Sequence, residues 1–182
     1  MKQQHIPSPA HTTTNTMVGL DFCGALVVLV GGGPVTARRV RKLVTKKAIV
    51  RVVAPELCPE MHRLRGNVEW IPEEFAPHHL DNAWFVTTCT GDAGVDAWVA
   101  RECHQRRIWC VNSGAVGQGN ARYCAEVEVE DSTVGVIAVG AMSTHGAHPK
   151  RSVHLARRIS HFIQAALHRG EFHSAFPARN AA

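Results

Sequence analysis

The triplet Gly31-Gly32-Gly33 is where this sequence is best equipped for chemistry. It ends the apolar run 24–30 and leads into Pro34, a residue that suits the first position of a helix. Gly31-x-Gly33 between a strand and a helix is the setting in which a dinucleotide pyrophosphate is bound. The first glycine permits the tight turn and the second lets backbone approach the phosphates. The helix start adds unpaired N–H groups and the positive end of its dipole. Thr36 stands where this fingerprint usually has Gly or Ala. An acid that reads ribose hydroxyls is expected after the second strand. Glu56 lies there, close to the usual offset of about 20 residues. The alternative is a glycine-rich strand end in another α/β fold.

Histidine and cysteine supply the other chemistry-bearing groups. Of the 12 histidines, His145 and His148 flank Gly146-Ala147 in a loop where a site can form. His154, His161 and His168 recur along one helix face, about 10 Å apart, too far to share an ion. They read as surface groups, and no resident metal is expected. The 6 cysteines stand at 23, 58, 89, 103, 110 and 124, with no CxxC pair. Reduced thiols in a cytoplasmic protein are expected rather than a disulfide framework.

The elements that must hold these residues alternate. Buried-strand patterns cover 24–30, 49–53, 68–71, 84–88 and 108–111. Helical patterns cover the stretch from Pro34 with Val35, Val40, Leu43 and Val44 inward, the short run Pro59–Arg65, and Asp92 to Gln105. That alternation predicts βαβ units around a Rossmann-like parallel sheet. The pattern then changes. Glu126, Glu128 and Glu130 alternate with Val127 and Val129, Asp131-Ser132 reads as a turn, and 134–139 runs back, which predicts a β-hairpin. A small C-terminal helical part follows Pro149, with Ala156, Ile159, Phe162, Ile163, Ala166 and Leu167 as its apolar stripe and Gly170 at its end. The expected division is a flexible lead-in at 1–17, the dinucleotide-binding domain at 18–122, the hairpin segment at 123–149 and the helical part at 150–182. A two-stranded hairpin is marginal alone, so a homodimer is expected.

Composition bounds the function. The chain has 182 residues, 45% of them hydrophobic, with 20 Lys+Arg against 15 Asp+Glu, which is globular rather than disordered or fibrous. The longest apolar run, 24–33, is about half of what spans a bilayer, and the polar first 17 residues lack the apolar core of a signal peptide. No membrane partner is expected. Positive charge is segregated into 38–51 and 150–169, neither of which contains an acid. No aromatic interleaving accompanies these runs, so a small polyanion is the expected partner rather than nucleic acid.

Several segments occur in a telling order. Ala25-Leu-Val-Val-Leu-Val-Gly-Gly-Gly-Pro-Val-Thr-Ala-Arg-Arg39 is followed by Val52-Val-Ala-Pro-Glu-Leu57 and Trp84-Phe-Val-Thr-Thr-Cys-Thr-Gly-Asp92. Arg106-Arg-Ile-Trp-Cys110 and Ser143-Thr-His-Gly-Ala-His-Pro149 come after them. Together they resemble the siroheme synthase N-terminal module, the precorrin-2 dehydrogenase and sirohydrochlorin ferrochelatase family. The resemblance covers about residues 18–169. It implies an NAD-binding Rossmann domain, a β-rich dimerisation segment and a small helical domain. The implied activity is NAD-dependent oxidation of precorrin-2, a polycarboxylate tetrapyrrole, to sirohydrochlorin in siroheme or cobalamin synthesis. Carried over by position, the cofactor contacts are Gly31, Gly33, Pro34 and Val35, then Pro55 and Glu56, with Thr88, Thr90 and Asp92 lining the next strand end.

The sequence departs from the family at one point of consequence. Members carry an aspartate just after the fifth strand, and the matching position is Gly114, with no carboxylate between Glu102 and Glu126. A general base must reach its proton, so His145 and His148 become candidates for the missing group, and metal insertion is not expected. The alternative to an enzyme is a non-catalytic tetrapyrrole- or metal-binding relative that keeps the fold.

Overall fold

The computed structural model describes residues 16–130, 132–137 and 149–169. They fall into two compact units that part between Arg122 and Tyr123.

The first unit is a five-stranded sheet with helices. The strands are β1 (Leu26–Val30), β2 (Ile49–Val53), β3 (Glu69–Ile71), β4 (Phe85–Thr88) and β5 (Trp109–Asn112). The helices are α1 (Pro34–Thr45), α2 (Pro59–His62) and α3 (Ala93–Gln105). The strand order is β3-β2-β1-β4-β5, and all pairings are parallel, with Val30 beside Val53 and Thr88, and Thr88 beside Asn112. Strand order reverses between β1 and β4. Ligands of open α/β sheets bind in the crevice at that point, at the carboxyl ends of the strands.

The apolar run is continuous because β1 is central. Val27, Val28, Leu29 and Val30 are all buried, as expected where helices cover both faces of a sheet. From α1, Thr36, Ala37, Val40 and Leu43 face inward, and from α3, Asp96, Val99, Ala100 and Cys103. Val35, expected on the inner face of α1, is 37% exposed. It sits in the first turn of the helix. Gly24, expected inside β1, instead makes a turn at φ 72° and donates its N–H to Lys47 at 3.0 Å. The helix expected over 59–65 stops at His62 and passes into a 3-10 turn at Arg65–Asn67.

The second unit contains the antiparallel strands β6 (Ala125–Val129) and β7 (Ser132–Val136) and the helix α4 (Pro149–His168), which packs on both strands. Glu126 and Glu128 are exposed while Val129 is buried, the alternation expected of a one-sided hairpin. Ser132 is not in the turn. It pairs with Val129 as part of β7, and Glu130 bends the chain at φ 53°. Ala156 and Ala166 of the expected α4 stripe are buried, with Ser152 beside them. Ile159 and Phe162 are exposed, Phe162 by 65%. Small residues suffice where the helix lies close to the strands, so the bulky ones fall on its flank. The expected parallel sheet, hairpin and C-terminal helix are therefore all present. The lead-in residues 1–15, together with Asp131, His145, His148 and Gly170, lie outside the described residues.

Candidate functional site at the glycine turn

Three glycines follow β1, and the protein's own packing explains only two of them. Gly31 has φ 115°, a conformation that disfavours side chains, and a Cβ there would lie 2.6 Å from the Cys89 carbonyl oxygen. A Cβ on Gly32 would overlap the Glu56 carbonyl oxygen. Gly33 is different. Its backbone is ordinary extended chain at φ −83°, and a Cβ on it would meet nothing within 4 Å. Among the described residues, no neighbour requires glycine at that position. The open space lies at the N-terminus of α1, where a methyl group would intrude on a ligand approaching the backbone.

The turn is held from several sides. Gly31 donates its N–H to Val53 at 2.9 Å, and Gly32 accepts from the Cys58 N–H at 2.9 Å. Thr36 is fully buried, and its hydroxyl donates to the Gly31 carbonyl at 2.7 Å. The residue that departs from the fingerprint thus fastens the turn. The first hydrogen bond of α1 runs from the Ala37 N–H to the Gly33 carbonyl at 3.1 Å. The N–H groups of Val35 and Thr36 precede that bond and have no partner within the helix, while Pro34 has no N–H to satisfy. No acid stands in the first turn of α1, so the positive end of its dipole is left for an anion. Pro55 and Glu56 follow β2 and are exposed, with the Glu56 carbonyl against Gly32.

Across the reversal of strand order, the segment after β4 abuts the turn, since the position of a Gly31 Cβ is also 3.1 Å from the Thr90 Cα. Asp92 caps α3, its carboxylate accepting the Gly94 and Val95 N–H groups at 2.7 and 3.0 Å. Burial pushes the Cys89 thiol above its ordinary range, with a smaller push from Asp96, against a pull from the Thr36 hydroxyl. Cys89 is therefore a neutral neighbour of the turn.

One site residue was missed by the sequence reading. Asp96 is 3% exposed. Its Oδ1 accepts from the Thr88 hydroxyl, from the Thr90 N–H at 3.1 Å and from the Thr90 hydroxyl at 2.7 Å. The signal was present, because Asp96 shares a helical face with the apolar Val99 and Cys103, and a charged group there is rarely buried without a task. Gly114, at the position of the family aspartate, lies beside it. A Cβ on Gly114 would stand 3.1 Å from Asp96 Oδ2.

Of the predicted residues, Gly31, Gly33, Pro34, Val35, Pro55, Glu56, Thr88, Thr90 and Asp92 all belong to segments at the carboxyl ends of β1, β2 and β4. Among the described residues one trio offers clustered metal-ligating atoms, Glu73, His78 and His79, with those atoms within 4.8 Å of one another. His79 Nδ1 accepts the Ala76 N–H at 3.0 Å, which leaves the ring proton on Nε2, facing Glu73 at 3.3 Å. This arrangement is a hydrogen-bonded pair, and the nitrogen a metal would need already carries a proton.

Residues 18–124 match the family model NAD_binding_7, described as "Putative NAD(P)-binding". The chain belongs to this family. Its cofactor class is a nicotinamide dinucleotide, in keeping with the glycine turn. A siroheme synthase of Chromobacterium violaceum is 35% identical over 153 residues, covering 82% of this chain and 31% of that one. Siroheme synthase 3 of Aeromonas hydrophila is 44% identical over 85 residues, covering 46% of this chain and 18% of that one. The siroheme synthase of Photorhabdus laumondii is 41% identical over 91 residues, covering 49% and 19%. The chain thus spans a fifth to a third of the length of these relatives, and it is a member of the siroheme synthase N-terminal module family. Among solved structures, "SirC, precorrin-2 dehydrogenase" superposes with a TM-score of 0.64 at 21% identity, over 92% of this chain and 83% of that one. The two share a fold.

Proposed function

We propose that this protein is a precorrin-2 dehydrogenase, oxidising precorrin-2 to sirohydrochlorin with NAD as acceptor, on the route to siroheme or cobalamin. The observation that carries the reading is the unneeded glycine at 33. Open space at a helix N-terminus, beside a tightly fastened turn, fits the pyrophosphate of a dinucleotide. A precorrin-2 dehydrogenase of the same fold supports the substrate, as do the siroheme synthase relatives.

Bound at this turn, the nicotinamide accepts a hydride. The protein's part is to hold and orient. Gly31 and Gly33 bring backbone to the phosphates, Pro34 starts the helix, and Val35 offers apolar surface and an N–H beside them. Pro55 and Glu56 meet the adenosine ribose. The Glu56 carboxylate favours NAD over NADP, because it accepts from a ribose hydroxyl and repels a 2′-phosphate. Thr88, Thr90 and Asp92 line the nicotinamide side. Exposed Arg38, Arg41 and Lys42 on α1, with Lys46 and Lys47 in the turn after it, make this segment a counterpart for a substrate rich in carboxylates.

The protein acts as a homodimer in the cytoplasm. The exposed α4 flank of Leu155, Ile159 and Phe162, beside a two-stranded sheet, supports the dimer. Cys23, Cys58, Cys89, Cys103 and Cys110 are free thiols, which supports the reducing compartment. No helix among the described residues is long and apolar enough to cross a membrane. The test is anaerobic incubation of the protein with precorrin-2 and NAD. Reduced nicotinamide and the sirohydrochlorin spectrum are expected to appear together in equal amounts. Unchanged precorrin-2 alongside intact, folded protein contradicts the reading.

A further inference from the structure

Asp96 is a buried carboxylate whose two oxygens are treated differently. Oδ1 is served by three donors from Thr88 and Thr90. Among the described residues Oδ2 accepts no hydrogen bond, although the side chain is 3% exposed. A carboxylate is an acceptor with room for about four donors; among the described residues Oδ2 is not one of the side-chain atoms buried without a partner, so it keeps an opening to solvent. Holding the Thr88–Thr90 segment needs Oδ1 alone.

The space beside Oδ2 is shaped as well. Gly114 follows β5, and a Cβ there would stand 3.1 Å from Oδ2 and 3.6 Å from Asn112 Oδ1. Gly114 is not in the left-handed region, so its backbone conformation does not call for glycine. The loop around it is tied down, since Asn112 Oδ1 accepts the Gly114 and Ala115 N–H groups at 2.9 and 2.8 Å. The missing side chain leaves Oδ2 room on that side. This end of the sheet is also where the glycine turn meets Thr90, the residue that grips Asp96 from backbone and side chain.

We infer that Asp96 is the catalytic base of this site: its Oδ2 takes the proton that substrate loses as hydride leaves for the nicotinamide. The inference rests on the dehydrogenase reading above. In that step a C–H bond of the reduced macrocycle breaks and its electron pair passes, as hydride, to the nicotinamide ring. A neighbouring N–H or C–H bond breaks, its electrons form the new double bond, and its proton moves to Oδ2. Substrate is oxidised by two electrons and the dinucleotide reduced by two. The proton then leaves Asp96 for solvent.

Three groups bear on the acidic limb of the rate. Cys89, at the end of β4, stays neutral through burial. Arg39 of α1 reaches Cys89 electrostatically and remains a cation. Asp92, beside Thr90, is spent on capping α3. The test compares wild type with Asp96→Asn, which keeps an acceptor at Oδ1 and puts a donor at Oδ2, and with Asp92→Asn as control for the other carboxylate. In Asp96→Asn the expected loss is about 100-fold or more in kcat, with NAD affinity held within about threefold and the acidic limb flattened. In Asp92→Asn that limb persists.

A second readout does not need turnover. The Asp96 side-chain carboxyl carbon resonance, assigned by its loss in Asp96→Asn, is expected to shift when sirohydrochlorin binds the NADH complex. If Asp96→Asn does not fold, Gly114→Ala decides the matter, because it leaves every Asp96 donor in place and crowds Oδ2; it is expected to lose rate and keep NAD affinity. Full rate with an unchanged pH profile in Asp96→Asn overturns the assignment, as does full rate in Gly114→Ala or a resonance indifferent to the tetrapyrrole. An inert wild type overturns instead the dehydrogenase reading on which the assignment rests.

Discussion

Replacing Gly33 with alanine separates a glycine kept for a ligand from one kept for the fold. At φ −83° alanine is unstrained, and its methyl group would meet nothing within 4 Å. Fewer unfolded conformations then favour the variant by about 0.4–1 kcal/mol. For a unit of this size that is a rise in Tm of roughly 2–8 °C. The same methyl group would stand where the pyrophosphate approaches. Loss of one charge-assisted hydrogen bond costs about 1.5–3 kcal/mol, so NAD binding should weaken by about tenfold or more. Gly32→Ala is the counterpart. Its Cβ would overlap the Glu56 carbonyl, and it should lose stability outright. Thermal melting and calorimetric NAD titration of both variants make the assay. If Gly33→Ala binds NAD as wild type does, the open space is not a phosphate cradle. If it melts well below wild type, the packing argument itself is wrong.

Further outcomes follow from the same geometry. Thr36→Val removes the hydroxyl that serves the Gly31 carbonyl, and should cost about 1–3 kcal/mol in denaturant unfolding along with some NAD affinity. Glu56→Gln should narrow the preference for NAD over NADP, read as the ratio of kcat/KM values. Phe162→Glu places a charge on the exposed flank of α4 and should give monomers in light scattering, where the proposed assembly predicts dimers for wild type. Thiol labelling at neutral pH should reach exposed Cys23 first. Cys103 should react only on unfolding, because its hydrogen bond with Cys110 and its burial push its thiol far above the ordinary range.

The sheet was legible because its residues obey one pattern at a time. An unbroken apolar run marked β1, and its burial on both faces is what such a run encodes. The glycine triplet was legible as a turn, but which glycine serves packing and which serves a ligand depends on the carbonyls of Cys89 and Glu56, brought in from other strands. Thr36 read only as a departure from the fingerprint, because the hydrogen bond it makes closes on Gly31, five residues back, only once the turn exists. Asp96 was hidden for the same reason. Its partners Thr88 and Thr90 and its neighbour Gly114 come from two strand ends that the sequence does not juxtapose. The α4 stripe misled at Ile159 and Phe162 because helical periodicity marks an apolar side without saying which part of it a narrow hairpin can cover.

The dinucleotide site is tested most directly by a titration of the wild-type protein with NAD, followed by calorimetry and tryptophan fluorescence. Saturable binding of one NAD per chain is expected, weakened in Gly33→Ala and unaltered in a variant of the exposed α4 flank such as Ile159→Ala. Absence of heat and of any fluorescence change at millimolar NAD, from protein that melts cooperatively, would contradict it.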